Sequence, residues 1–295
     1  RRYTAKSFRT QIRFETIFTS IFYWFVQTQK RHSLFSIVNA SCNFHFIFTM
    51  KAFWKLNLTS EQVHEIMPKC DELMVFPLTC KANEPTVYKQ VCKTIKYDIP
   101  GSKFHGLSGT IEAPKSMLQC VQQYFRTNMC IDENSPKRDL EATVFQKFYF
   151  IDPADEQKYK QLMQNDKLQD FCFAMHHCSR SPNALLVAHR EFVALGCLKV
   201  YPDRVLIAFQ RIDYPELVKD TVRGKIPNLH VCFKQMKDHT EIFHFSWVDP
   251  CGNIPAWVYN AALESRNDVL IHLKEDIAKF TDSVEEEEEE EETEK

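Results

Sequence analysis

The sequence predicts an α+β domain in which an antiparallel sheet is closed by one long C-terminal helix. Three observations carry this. Strand-like runs crowd between residues 185 and 248, and two of their separators, Tyr201-Pro-Asp-Arg204 and Lys237-Asp-His239, are short enough for antiparallel hairpins. After Pro255 the chain continues without Pro or Gly, and its apolar residues recur at helical spacing. At 295 residues and 44% hydrophobic, it can bury a sizeable core.

In chain order, Thr59 and Gln62 form a capping-box pattern ahead of Val63, Ile66 and Met67, which predicts a helix fading near Pro77. Val87 to Tyr97 and Lys103 to Ile111 read as strands divided by Pro100-Gly101, and Ala113-Pro114 opens a second helix through Met117, Leu118, Val121 and Phe125. Thr143 to Ile151 is a further strand, and Asp155 to Asp170 a polar helical or loop insert. Strands follow over Leu185 to Val200, Val205 to Ile212, Leu229 to Met236 and Glu241 to Val248. Pro250 and Gly252 stop the last one, Asn253 is placed to cap, and Pro255 stands where a helix starts without needing its missing N–H. Val258, Ala262, Val269, Leu273, Ile277 and Phe280 then mark the apolar stripe of a helix of about 26 residues, about 40 Å long.

Charge divides the chain into three. Residues 1–49 hold seven Lys/Arg, one acid and nine Phe; the middle is neutral; residues 285–295 hold nine Glu and one Lys. Three regions are expected: an N-terminal extension over 1–49, a folded domain over 56–282 and a disordered acidic tail over 283–295. The extension reads either as a transit peptide, Arg-rich and acid-poor, or as translated upstream sequence, since the first methionine is Met50. The neutral middle argues against nucleic acid as a partner. The tail should stay solvated, as a solubilising segment or as a contact for a basic protein. No run of 18 apolar residues predicts a membrane span. Eleven scattered cysteines without a C-x-x-C pair suit reduced thiols and a cytoplasmic protein, or a mitochondrial one if residues 1–49 are a transit peptide.

Three strings add a resemblance. Arg190-Glu-Phe-Val193, Val222-Arg-Gly224 and the junction from Val248 through Asp249, Gly252, Ile254, Pro255 and Trp257 to Asn260 are similar in order and spacing to motifs of the START family, the lipid-transfer domains related to steroidogenic acute regulatory protein. The likeness spans roughly residues 60 to 280. A weaker match lies at Ser135-Pro-Lys-Arg-Asp139, where Arg138 replaces the family's Trp, and Gly196 stands where sterol-binding members often carry a cavity arginine. The resemblance implies a helix-grip fold: a curved antiparallel sheet around the C-terminal helix, enclosing an apolar tunnel. Val269, Leu273 and Ile277 would face that tunnel, with Tyr201, Pro202, Asp203 and Arg204 as its gate. Phe192, Phe209, Phe233, Phe243, Phe245 and Trp247, together with Val258 and Ala262, complete the expected lining.

Such a container suits a lipid, because each methylene released into water costs about 0.8 kcal/mol and a 16-carbon chain about 13 kcal/mol. The expected ligand is one phospholipid, sterol, ceramide or fatty acid, carried between membranes or sensed by a monomer in transient contact with a bilayer. The alternatives are a non-transferring interaction module and a helix-grip enzyme acting on an apolar small molecule. No G-x-S-x-G, H-E-x-x-H, P-loop or dinucleotide motif is present, and no spacing singles out Asp139, Glu191 or His244 as an acid or base, so no catalytic residue and no cofactor is assigned. Cys172-Phe-Ala-Met-His-His-Cys178 offers zinc-type ligands. In a strand, however, His177 points away from Cys172, His176 and Cys178, and no metal site is assigned.

Overall fold

The computed structural model describes residues 69–129, 143–165, 167–179, 187–212 and 218–279. The extension over 1–49, the Thr59/Gln62 helix start, the Ser135–Asp139 segment, Phe280 and the acidic tail lie outside the described residues.

The chain opens with helix α1 (Lys69–Val75) and a 3-10 turn (Phe76–Thr79), then strands β1 (Lys81–Ala82), β2 (Thr86–Tyr88), β3 (Cys92–Asp98) and β4 (Gly106–Ala113). Helix α2 (Met117–Tyr124) continues as a wider turn over Phe125–Met129. Strand β5 (Thr143–Tyr149), helix α3 (Pro153–Asn165) and strands β6 (Phe171–Ser179), β7 (His189–Val200), β8 (Arg204–Arg211), β9 (Thr221–Arg223), β10 (Lys225–Gln235) and β11 (Thr240–Asp249) follow. Helix α4 (Ala256–Ala261), a 3-10 segment (Leu263–Asn267) and helix α5 (268–279) end the described chain. The strands form one sheet in the order β1-β3-β4-β11-β10-β8-β7-β6-β5, with β2 beside β3 and β9 beside β7. All pairings are antiparallel except β7 with β9. The fold is therefore helix-grip α+β.

Several expectations change in detail. The single strand over 87–97 is a hairpin, because Lys89 and Gln90 adopt positive φ and turn the chain between β2 and β3. Helix α2 begins after Ser116 rather than at Pro114: the Ser116 hydroxyl accepts from the Gln119 N–H, and the Gln119 side chain accepts from the Ser116 N–H. Pro255 occupies the cap position of α4 itself, and Asn253 does not cap it.

The long C-terminal helix is the main correction. It is broken, because Ser265 Oγ donates back to the Ala262 carbonyl and the Leu263–Asn267 segment winds as 3-10. A 3-10 segment turns about 120° per residue against about 100° in an α-helix, so five residues shift the phase by about 100°, one helical position. The stripe expected at Val258 and Ala262 consequently falls one residue late: Val258 is 40% exposed, whereas Tyr259 and Leu263 are buried. Ala262 is exposed as well. Past the break, Leu270, Ile271, Leu273 and Ile277 are buried against the sheet. Truncating Leu273 to alanine should cost about 2–5 kcal/mol in urea unfolding, while Val258→Ala should stay within about 0.5 kcal/mol of the parent. Equal losses at both positions would contradict this phase.

Candidate functional site

The ladder registers decide which side chains meet α5. Ile242 lies opposite Phe233 and Ile111, and His244 opposite Val231 and Gly109. A Cβ on Gly109 would come within 2.5 Å of Asn267 and 2.7 Å of Leu270, so this face carries the C-terminal helix. The same face continues through Val205, Ile207 and Phe209 of β8, Ala194 and Leu198 of β7, and Phe171, Phe173 and Met175 of β6. We call it the inner face.

Phe209, Phe233, Leu273 and Ile277 meet there in one buried cluster, with Phe192 and Val269 packed against it. Six of the eleven predicted cavity or lid residues thus share one surface. Three do not. Phe243, Phe245 and Trp247 alternate as expected, but they pair with Cys232, His230 and Asn228 on the outer face. A one-residue step reverses a strand's faces, and Ile242, His244, Ser246 and Val248 are the β11 residues turned toward α5. Phe245 is instead buried with Tyr97 and Ile99, and Phe76 stacks on Trp247 with ring centroids 5.2 Å apart. The outer aromatics are thus covered from the N-terminal side. Val258 and Ala262, the last two, are exposed for the phase reason given above.

The expected gate is the β7–β8 turn, closed by the Tyr201 N–H donating to the Arg204 carbonyl at 2.8 Å. Its tyrosine hydroxyl donates to Asp71 of α1, and Arg204 stacks over the Tyr201 ring at 5.2 Å. These contacts tie the turn to α1.

Sequence reasoning missed two groups. One is an aromatic patch on the inner face: Phe125 sits 5.6 Å from Phe171 and 5.9 Å from Phe173, Phe173 5.9 Å from Phe209, and Tyr124 5.7 Å from Phe233. The alternation of Phe171 and Phe173 around Cys172 carried that signal, in a stretch weighed only for metal. The second is polar and has no periodic signature. Asn267 donates through Nδ2 to Thr94 Oγ1 at 2.9 Å and to the Ser108 carbonyl at 3.3 Å, while Arg266 donates to Ser246 Oγ at 3.1 Å. These bonds fix the 3-10 segment to β3, β4 and β11.

Gly196 has a local cause. Its cross-strand partner is Phe173, whose ring would lie 2.3 Å from an added Cβ, so an aromatic covers the position where a cation was looked for. Side chains larger than hydrogen have no room there.

The three motif strings are tied to one another. Arg190 donates through Nε to the Pro250 carbonyl at 2.7 Å and through Nη2 to that of Cys251 at 3.3 Å. Glu191 is fully buried; it pairs with His176 Nε2 at 2.6 Å and Arg223 Nη2 at 3.1 Å, and accepts from the Val218 N–H and the Thr221 hydroxyl. Tyr259 donates to the Val248 carbonyl at 2.6 Å, and Asn260 bridges the His105 N–H and the Lys103 carbonyl. The motifs are a frame that fixes where β11 ends and α4 begins.

The Cys172–Cys178 stretch is strand β6. Cys172 and His176 lie on the outer face, whereas His177 turns inward and hydrogen-bonds Gln146 at 2.8 Å. Among the described residues no group of three His, Cys, Asp or Glu side chains could hold a metal ion, and no helix is long and apolar enough to cross a membrane.

The architecture has counterparts among solved structures. Human StAR-related lipid transfer protein 5 superposes with a TM-score of 0.54 at 13% identity, covering 75% of this chain and 97% of that one. A STAR-related lipid transfer protein fragment from Xanthomonas axonopodis gives 0.48 at 15% identity over 66% and 98%, and human STARD10 gives 0.48 at 12% over 77% and 83%. Neither the protein-family models nor the curated proteins contain a match to this chain. At this level of identity the first superposition shows the fold, which is the START fold.

Proposed function

We propose that the domain binds one lipid between the inner face and α5 and transfers it between membranes. The observation that carries this reading is the assembly of Phe192, Phe209 and Phe233 with Val269, Leu273 and Ile277 on one apolar surface beneath a helix hinged at a 3-10 segment. Supporting it, the first of the three solved structures, human StAR-related lipid transfer protein 5, is by name a lipid transfer protein.

Leu273 and Ile277 are buried against that surface, so the acyl or ring moiety takes their place when α5 swings away. The hinge is the segment that Asn267 and Arg266 hold to the sheet, and a mid-helix 3-10 stretch is a common site for such motion. The exchange is driven by apolar area and needs no covalent step: a 16-carbon chain is worth about 13 kcal/mol against water. Opening takes place at a bilayer surface, where the lipid passes from one apolar medium to another. Glu191, considered above as an acid or base, is committed to His176 and Arg223 and serves the frame.

A vesicle-to-vesicle assay with fluorescent phospholipid, sterol, ceramide and fatty acid tests the reading. Transfer with turnover for one class is expected. Binding without transfer would make the domain a sensor, and neither would leave it an interaction module.

A further inference from the structure

Beneath α1, on the outer face, three thiols converge. Cys172 of β6 and Cys197 of β7 are direct cross-strand partners, with sulfurs 3.0 Å apart, and the thiol of Cys70 of α1 lies beside that of Cys197. All three are buried and free. Directly opposed antiparallel residues have Cα atoms about 4.5–5.5 Å apart, inside the range of about 4.4–6.8 Å that a disulfide spans. Closing the Cys172–Cys197 pair therefore needs the sulfurs to approach by about 1 Å, to the ~2.0 Å of the bond, without moving either strand.

We propose that Cys172 and Cys197 form a reversible cross-strand disulfide and that Cys70 is the thiol through which a low-molecular-weight disulfide oxidises them. Cys70 is suited to react first. The neighbouring Cys197 thiol, against the opposing effect of burial, and then the Lys199 ammonium make the Cys70 thiol more acidic than an ordinary cysteine. Cys197, by contrast, is pushed strongly toward the protonated form by its thiol neighbours Cys172 and Cys70 and by burial. The covering helix is also short. Seven residues long, α1 is held by Asp71 to Lys199 at 2.8 Å, by the Tyr201 hydroxyl and by Asn228 Nδ2 donating to the Leu73 carbonyl at 2.8 Å, so local opening is enough to present Cys70.

The exchange balances. The Cys70 thiolate attacks one sulfur of the oxidant RSSR, forming Cys70–S–S–R and releasing RS⁻, which takes up the Cys70 proton. Cys197 gives up its proton and attacks Cys70 Sγ, expelling the second RS⁻, which takes that proton. Cys172 then attacks Cys197 Sγ, its proton returns to the departing Cys70 thiolate, and Cys172–Cys197 remains. One RSSR is reduced to two RSH and two protein thiols are oxidised. The intermediate links α1 to β7; the product links β6 to β7 and releases Cys70.

The test equilibrates the full chain in buffers of reduced and oxidised glutathione, quenches by alkylation and maps linked peptides by mass spectrometry without reduction. A Cys172–Cys197 pair is expected, absent in Cys172→Ser and Cys197→Ser. In Cys70→Ser the pair should form about tenfold more slowly or less, at an unchanged equilibrium ratio, while Cys251→Ser should match the parent. Cys70→Ala serves if the serine variant does not fold, and circular dichroism of each sample reports the folded state. No Cys172–Cys197 link in folded protein, or an unchanged rate in both Cys70 variants, would overturn the proposal.

Discussion

Replacing Glu191 by alanine is expected to destabilise the domain by about 3–5 kcal/mol, because it leaves the partners of a buried charge uncompensated. Four groups from two other chain segments meet at this carboxylate: His176 of β6, and the Val218 N–H, the Thr221 hydroxyl and Arg223. Glu191→Gln keeps the shape and some hydrogen bonds and should cost less, about 1–3 kcal/mol. Burial by itself would raise the Glu191 pKa; the bond to His176, the charges of His176 and Arg223 and the Val218 N–H outweigh it and hold the group below its ordinary 4.5. A depressed carboxylate binds fewer protons folded than unfolded, so its contribution is present above that ordinary value and is lost as pH falls through the lower folded one. Urea unfolding at neutral pH measures the effect, and a loss under about 1 kcal/mol for the alanine variant would contradict the frame described for the three motifs.

Stability should also fall steeply between pH 7 and pH 5, through three imidazoles shielded from water, His177, His230 and His244. His230 lies between the outer face's Phe243 and Phe245, with Nδ1 2.9 Å from Asn228 Oδ1. His244 points the other way, toward Asn267 and Arg266. Burial, then repulsion from His244, lowers the His230 pKa to about 3; burial, then the Arg266 charge, lowers that of His244 to about 4; burial, then the His176 charge, lowers that of His177 to about 4. All three stay neutral in the folded chain while the unfolded chain takes up three protons below about pH 6.5, so stability is fully present above that pH. Three protons correspond to about 4 kcal/mol per pH unit, or about 5–6 kcal/mol between pH 7 and pH 5. His230→Gln and His244→Gln should each remove about a third of the slope, whatever they do to stability at neutral pH. A parent slope unchanged in both variants would show that these imidazoles are not the source.

The parts of the fold legible in the sequence were those fixed by period and by short connections. The β7–β8 and β10–β11 hairpins follow from separators of a few residues, and the far half of the C-terminal stripe, at Val269, Leu273 and Ile277, from helical spacing. The near half failed because Ser265 and Asn267 bond to backbone and side-chain oxygens and rewind the helix, and period counting does not see hydrogen bonds. Which face of β11 turns inward was equally hidden. Phe243, Phe245 and Trp247 are the more apolar set, yet His244 and Ser246 face α5, because the outer face is covered by Phe76 and its neighbours and so has its own demand for aromatics. Of the candidate site, Phe192, Phe209 and Phe233 were named as aromatics of the strands beside the last one, and they lie on the inner face or pack against its cluster. Phe125, Phe171 and Phe173 were missed, the last two because cysteines and histidines nearby drew attention to metal chemistry. The motif strings pointed to the right fold for a reason visible only in three dimensions: Arg190 holds the end of β11 and Glu191 holds β9.

The central claim is that the inner face takes up a single lipid beneath α5. Native mass spectrometry of the full chain after incubation with mixed vesicles tests it most directly. A species heavier than the bare chain by the mass of one lipid is expected, in a one-to-one complex that organic extraction strips. Bare chain alone, from folded protein exposed to all four lipid classes, would contradict it.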